Sequence, residues 1–160
     1  MTDFRALLAA LSESKVEFIV VGGVAAVLHG SARLTQDVDV VYARDAENLR
    51  RLAGALAPLQ PYLRGAPPGL PFRLDEATLS SGLNFTLSTN AGDIDLLGEI
   101  AGVGGYAALL PHTDEIALYG LRCRCIDLPT LIAAKIAAGR PKDLEIVAEL
   151  RALLEERGRS

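Results

Sequence analysis

Two pairs of aspartates, Asp37 and Asp39 in "QDVDVVY" and Asp93 and Asp95 in "AGDIDLLGEI", have the types and spacing for chemistry. In a strand, residues i and i+2 share a face. Each pair therefore presents two carboxylates to one side, while Val38, Val40, Ile94 and Leu96 turn to the other. Carboxylates held close repel each other, and a cation between them is the usual remedy. Hard divalent ions such as Mg²⁺ or Mn²⁺ take carboxylate oxygens and accept phosphate oxygens as further ligands. If the two strands are neighbours, three or four carboxylates meet at one place. That is enough to hold two metal ions about 3.5–4 Å apart, the arrangement that clamps the attacking and leaving oxygens in phosphoryl transfer.

A β-branched run ends at Gly22-Gly23 just before the first pair. A strand that breaks at two glycines and continues as a helix lets backbone N–H groups approach a phosphate closely. Arg33 and Thr35 lie between this turn and Asp37 and could reach the same phosphates. The chain lacks G-x-G-x-x-G and G-x-x-x-x-G-K-[ST], which argues against a dinucleotide site and a P-loop. The meaning lies in the order: strand, Gly-Gly, helix, D-x-D strand, then a later strand carrying further aspartates.

The elements that must position these groups follow from periodicity and breakers. Residues 4–12 carry Phe4, Leu7, Leu8 and Leu11 at helical spacing. Residues 16–21 read as strand, 24–29 as a helix closed by Gly30, and 37–42 as strand. Residues 45–57 read as an amphipathic helix with Asp45 as N-cap. Residues 57–71 hold five prolines and two glycines and read as a loop. Strands are expected at 73–75, 84–88 and 94–97, and a short helix at 106–110. "EIALYGLRCRCID" reads as a hairpin turning at Gly120. Asp127 caps a helix over 128–138 with Pro129 in its first turn, ended by Gly139. Pro141 opens a last helix to about residue 156. The expectation is an α+β fold: one domain over residues 1–160 with a small mixed sheet flanked by helices, and a C-terminal helical part over about 127–157.

Bulk composition bounds the rest. The chain has 160 residues, half of them apolar, enough for a real core. A net charge of −4 argues against a general nucleic-acid coat. Cys123 and Cys125 are two apart, share a strand face and are poorly placed to bridge each other. With no signal peptide and no apolar run long enough to span a membrane, a reduced cytoplasmic setting is expected.

The order "GG…DVD…IDL" resembles the nucleotidyltransferase superfamily, whose fold is shared with DNA polymerase β. The run "KIAAGRPKDLEIVAEL" is similar to the K-x-x-A-x-R-x-K-D run of AbiEii-type nucleotidyltransferases. The resemblance covers roughly residues 16–45, 92–100 and 127–150. It implies metal-dependent transfer of a nucleoside monophosphate from an NTP to an RNA or protein hydroxyl, with Mg²⁺ or Mn²⁺ as cofactor. It further implies a toxin–antitoxin or phage-defence setting with a cognate protein partner. On that resemblance Asp37 and Asp39 hold the metals. Asp95 fits the third-carboxylate position best, with Asp93 as the alternative. Gly22 and Gly23 form the phosphate cradle, Lys135, Arg140 and Lys142 face the nucleotide or its acceptor, and Asp143 orients one of these cations. The superfamily's turn is most often Gly-Ser, whereas here the second position is Gly23.

Plainer readings stand beside these. Lys135 and Arg140 also suit a solvated face near a helix C-terminus. His29, before Gly30, suits a cap or packing role. Cys123 and Cys125 alternate with Arg122 and Arg124, as in a half-buried strand. A second class of function, a non-catalytic nucleotide-binding or partner-binding module of the same fold, uses the same residues.

Overall fold

The computed structural model describes residues 2–159. Helix α1 spans Phe4–Glu13 and turns Leu7, Leu8 and Leu11 into the core. Strand β1 (Phe18–Val21) leads directly into α2 (Gly22–Leu28), and β2 (Asp37–Tyr42) into α3 (Ala46–Leu56). A short 3₁₀ turn at Ala57–Leu59 precedes β3 (Tyr62–Leu63), α4 (Glu76–Ser81), β4 (Phe85–Thr89) and β5 (Gly92–Leu97). A small ribbon of β6 (Glu99–Ile100) and β7 (Gly104–Gly105) and the turn of helix α5 (Tyr106–Leu109) precede the hairpin β8 (Thr113–Leu118) and β9 (Leu121–Ile126). Helices α6 (Leu128–Ala138) and α7 (Pro141–Gly158) close the chain.

Seven strands form one mixed sheet in the order β3-β4-β5-β2-β1-β9-β8. The β1–β9 and β2–β5 pairs are parallel and the others antiparallel. Helix α1 packs on β2, β5 and β9, and α2 packs on β1, β2 and α6. A mixed sheet flanked by helices is thus the architecture, as the pattern of elements leads one to expect.

Register divides the central strands into two faces. Val38, Val40, Ile94, Leu96 and Leu87 are fully buried on one face. Asp37 and Asp39 lie on the other, directly opposite Asp93 and Asp95 of β5. A one-residue slip of this pairing would turn one strand over and drive its two carboxylates into the core, so burial of the valine–isoleucine–leucine face fixes the register. Asn48, on α3, is 1% exposed and pins the far end of β1 and β2. It accepts from Glu17 N (2.7 Å) and donates to Ala43 O (2.7 Å) and Glu17 O (3.1 Å).

The structure departs from the sequence reading in three places. Helix α2 begins at Gly22 and not at Val24, so both glycines belong to its first turn. Residues 73–75 form no strand. Asp75 instead accepts from Thr78 N (2.8 Å) and caps α4, because a local cap satisfies the backbone where no neighbouring strand is available. The proline-rich stretch is only partly loop. Tyr62 and Leu63 pair with Ser88 and Leu87 at the sheet edge, the position that tolerates proline neighbours.

The hairpin turns at Tyr119 (φ 54°) and Gly120 (φ 77°), the left-handed pair of a type I′ turn. Cys123 and Cys125 are buried, unpaired and on one face; burial pushes the Cys125 thiol up to about 12. His29 closes α2. Its Nδ1 accepts from Arg157 Nη2 (2.9 Å), which leaves Nε2 to donate to Ile126 O (2.6 Å) and ties three elements together. Among the described residues no helix is long and apolar enough to cross a membrane.

Asn48→Ala leaves Glu17 N–H and two carbonyls without their partner, and unfolding in urea is expected to show a loss of about 3 kcal/mol.

Candidate active site

Strands β2 and β5 run side by side, so the two aspartate pairs meet. Asp37, Asp39 and Asp95 each offer a carboxylate oxygen, and these atoms all lie within 4.8 Å of one another. The Asp39 Oδ1 atom is buried without a hydrogen-bond partner. Burial pushes the Asp39 carboxyl up to about 8, reinforced by the negative charges of Asp37 and Asp95. Asp37 is raised by the same causes, burial first and the charge of Asp95 next. An orphaned, buried oxygen facing two further carboxylates is the donor set of a hard divalent cation. The residues present therefore fit a metal ion.

Gly22 sits against this cluster in the left-handed region (φ +66°), and a Cβ there would overlap the Asp39 carboxylate. Glycine is required at this point on both counts. A Cβ on Gly23 would strike the Thr35 side chain. Thr35 Oγ1 in turn donates to Asp37 O (3.2 Å) and fixes the start of β2. The first turn of α2 has no side-chain cap, which leaves its N–H groups to another partner.

The C-terminal helices supply the positive wall. Asp143 is fully buried in the first turn of α7. It accepts from Lys135 Nζ (3.3 Å), Arg140 Nε (2.6 Å) and Arg140 Nη2 (3.2 Å), and from Arg140 N (3.3 Å) as the cap of the helix. Burial raises the Asp143 carboxyl, but the Arg140 hydrogen bond and the Lys135 and Arg140 charges outweigh it and hold it below the usual value. One buried carboxylate thus aims two cations. Lys142 is exposed beside them.

A cavity of about 340 Å³ gathers most of these groups. Gly23, Arg33, Thr35, Asp37, Asp39, Asp95, Lys135, Arg140 and Lys142 all line it. Gly22 lines an adjoining cavity of about 240 Å³, whose walls are Val21, Leu97, Ile100, Ile126, Leu131 and Ala134, with Asp39, Lys135 and Arg140 shared. Arg33 is held less directly than the sequence implies. Its guanidinium lies 3.9 Å from Glu145 and 3.9 Å from Glu149, so its charge is engaged by α7. Asp93 stands at the outer edge of the cluster, outside the group of three.

Sequence reasoning missed Arg64. It follows β3 in the proline-rich stretch, and its guanidinium lies 2.7 Å from Asp95, 3.4 Å from Asp93 and 3.8 Å from Asp37. The available signal was the Tyr62-Leu63-Arg64 triplet, a short β pattern ending in a cation. Its prolines masked it.

The chain matches no family model and no curated protein. Solved structures do resemble it. A Thermotoga maritima protein described as a candidate nucleotidyltransferase (TM1012) superposes with a TM-score of 0.58 at 17% identity, over 95% of this chain and 90% of that one. The lincosamide antibiotic adenylyltransferase LnuA, with lincomycin bound, gives 0.59 at 15% identity, over 95% and 98%. The antibiotic-resistance factor ANT(2'')-Ia gives 0.50 at 17% identity, over 97% and 90%. The fold is the nucleotidyltransferase fold.

Gly22→Ala is expected to abolish divalent-metal binding while leaving far-UV circular dichroism native, since the clash falls on Asp39 itself. A pH effect follows from Asp39. Its folded pKa lies above the unfolded value of about 3.9, so the native state binds the extra proton and stability falls as pH rises from about 4 to about 8. Without divalent metal, Asp39→Asn is expected to raise Tm at pH 8 and to change it little at pH 5, read by thermal melts at both.

Proposed function

We propose that this chain is a nucleotidyltransferase that moves a nucleoside monophosphate from an NTP to an acceptor hydroxyl. The observation that carries the reading is the opposition of Asp37 and Asp39 to Asp95 across a parallel strand pair, beside a glycine turn and a positive helix wall. Asp37 and Asp39 would hold the divalent ion, Mg²⁺ or Mn²⁺, with Asp95 completing the set. When bound, that ion supplies positive charge to the transferring phosphoryl group. Gly22 and Gly23 offer N–H groups to the phosphates. Lys135 and Arg140, aimed by Asp143, offset the charge that builds on the pyrophosphate leaving group. Asp95 accepts the acceptor's hydroxyl proton. The acceptor oxygen then bonds to the α-phosphorus as the bond to the β-phosphate oxygen breaks.

An RNA end or a protein side chain is the acceptor implied by the sequence resemblance, and a toxin or antitoxin partner belongs to the same proposal. Both rest on the run from Lys135 to Asp143 and its AbiEii-type resemblance. A second acceptor class, a small-molecule hydroxyl, is favoured by LnuA, which matches this chain over nearly the full length of both and has lincomycin bound. A single domain working in the cytoplasm is part of the proposal, supported by one contiguous core and two unbridged cysteines.

The test is a thermal shift of the purified chain with each of the four NTPs, with and without Mg²⁺ or Mn²⁺, followed by pyrophosphate release with candidate acceptors. Stabilisation that needs both metal and NTP is expected, lost in Asp37→Ala and Asp39→Ala. Asp95→Asn is expected to retain NTP binding and to lose transfer by about 10²-fold or more. Metal-dependent NTP binding without transfer to any acceptor would point to the non-catalytic binding module instead.

A further inference from the structure

The apolar cavity beside the aspartates has no part in the steps described above. At about 240 Å³ it is smaller than the roughly 300–1,000 Å³ of a complete small-molecule site, so it suits one part of a ligand. Asp39, Lys135 and Arg140 line both it and the larger cavity, which makes the two continuous at the carboxylate end. From there it runs on along β5. Leu97 follows Asp95 by two residues, and Glu99 stands four residues past Asp95, at most about 13 Å away along an extended chain.

The walls are apolar. Helix α6 turns Leu131, Ala134 and Ala138 to the cavity, a stripe at i, i+3 and i+7. The two alanines leave width that larger side chains would fill. The β6–β7 ribbon adds Ile100 and lies close on α6, since a Cβ on Gly102 (φ +77°) would strike Ala137. Polar groups are few. Lys135 and Arg140 are engaged by Asp143 (3.3 and 2.6 Å) at the shared end. The remaining ionisable group is Glu99, an exposed residue whose backbone pairs with Gly105. Among the described residues no hydrogen bond or ion pair engages its carboxylate. An ionised carboxylate accepts hydrogen bonds and donates none.

A flat ring suits these walls, and the acceptor beyond them suits an amino group. Guanine, cytosine and uracil each carry a carbonyl oxygen, which would face apolar walls or a carboxylate at a cost. Adenine carries none, and its exocyclic amino group is a donor. We propose that this cavity holds the base of the donor nucleotide and selects adenine, with Glu99 accepting from the exocyclic amino group. The inference rests on the nucleotidyltransferase reading for placing the phosphates at the aspartates. The preference for adenine comes from the cavity alone.

The experiment titrates the full chain, with Mg²⁺ present, with the four NTPs and with purine riboside triphosphate, which differs from ATP only in lacking the amino group. Inorganic tripolyphosphate serves as the probe without a base. ATP is expected to bind tightest, about 5-fold tighter than purine riboside triphosphate. In Glu99→Ala these two are expected to bind alike. Ala134→Phe, which fills the cavity, is expected to bring ATP down to the affinity of tripolyphosphate. Native ATP binding no tighter than that of purine riboside triphosphate or GTP would overturn the proposal. So would a preference for ATP that survives Glu99→Ala, an exposed position where the substitution leaves the core untouched. Failure of the nucleotidyltransferase reading shows separately, as absence of metal-dependent binding by every triphosphate. Adenosine alone then decides the cavity by NMR: shifts at the α6 and β6 residues that are lost in Ala134→Phe uphold the adenine site, and no shifts overturn it.

Discussion

The pairing of β2 with β5 sets everything else in this site. It is parallel, with Asp37 opposite Asp93 and Asp39 opposite Asp95. Unit charges about 4 Å apart repel by about 4 kcal/mol at the effective dielectric of a protein surface. On the acidic face the Arg64 guanidinium offsets only part of that repulsion. The opposite face favours the register, because Val38, Val40, Ile94 and Leu96 are wholly buried there. Burying such side chains is worth about 1.5–3 kcal/mol each, so the four together exceed the repulsion of any one such pair. The core thus holds the carboxylates in an arrangement they would not adopt alone.

The chain relieves this repulsion in three ways. Asp39 is raised to about 8 and so takes up a proton more readily when no cation is present. Arg64 neutralises the Asp93–Asp95 side from across the sheet edge. Lys135 lies on the helical side and lowers Asp39 from there. Each is partial, and the oxygen left without a partner belongs to the residue least reached by the cations. This incomplete neutralisation leaves Asp37, Asp39 and Asp95 with a donor set that suits a divalent cation.

Asp143 plays the complementary part on the other wall. It is a buried carboxylate whose cost is offset by two cations and a backbone N–H, and it caps α7 in the same stroke. A buried charge with satisfied partners keeps its geometry. Lys135 is accordingly held at the cavity, and Arg140, though its side chain is exposed, is tethered beside it. The same hydrogen bonds join the end of α6 to the start of α7, so the helical part and the positive wall are one device.

The sequence by itself determined the local features. Alternation in "DVDVV" and "DIDLL" gave two strands and the face each aspartate takes, since that periodicity belongs to the backbone. Caps at Asp45 and Asp127 and the glycine at 139 gave helix ends within a residue or so, because a cap is satisfied by neighbours in the chain. Only the tertiary structure decided which strands are neighbours, and therefore that Asp95 joins the cluster while Asp93 stands at its edge. It also decided Arg64. An arginine among prolines carries no signal of its own; its meaning comes from an edge pairing of two residues and from short side chains on β4, contacts far apart in sequence. The strand expected at 73–75 failed for the converse reason: its apolar and charged residues fit a strand, but no partner strand lies beside them, and the Asp75 cap took the backbone instead.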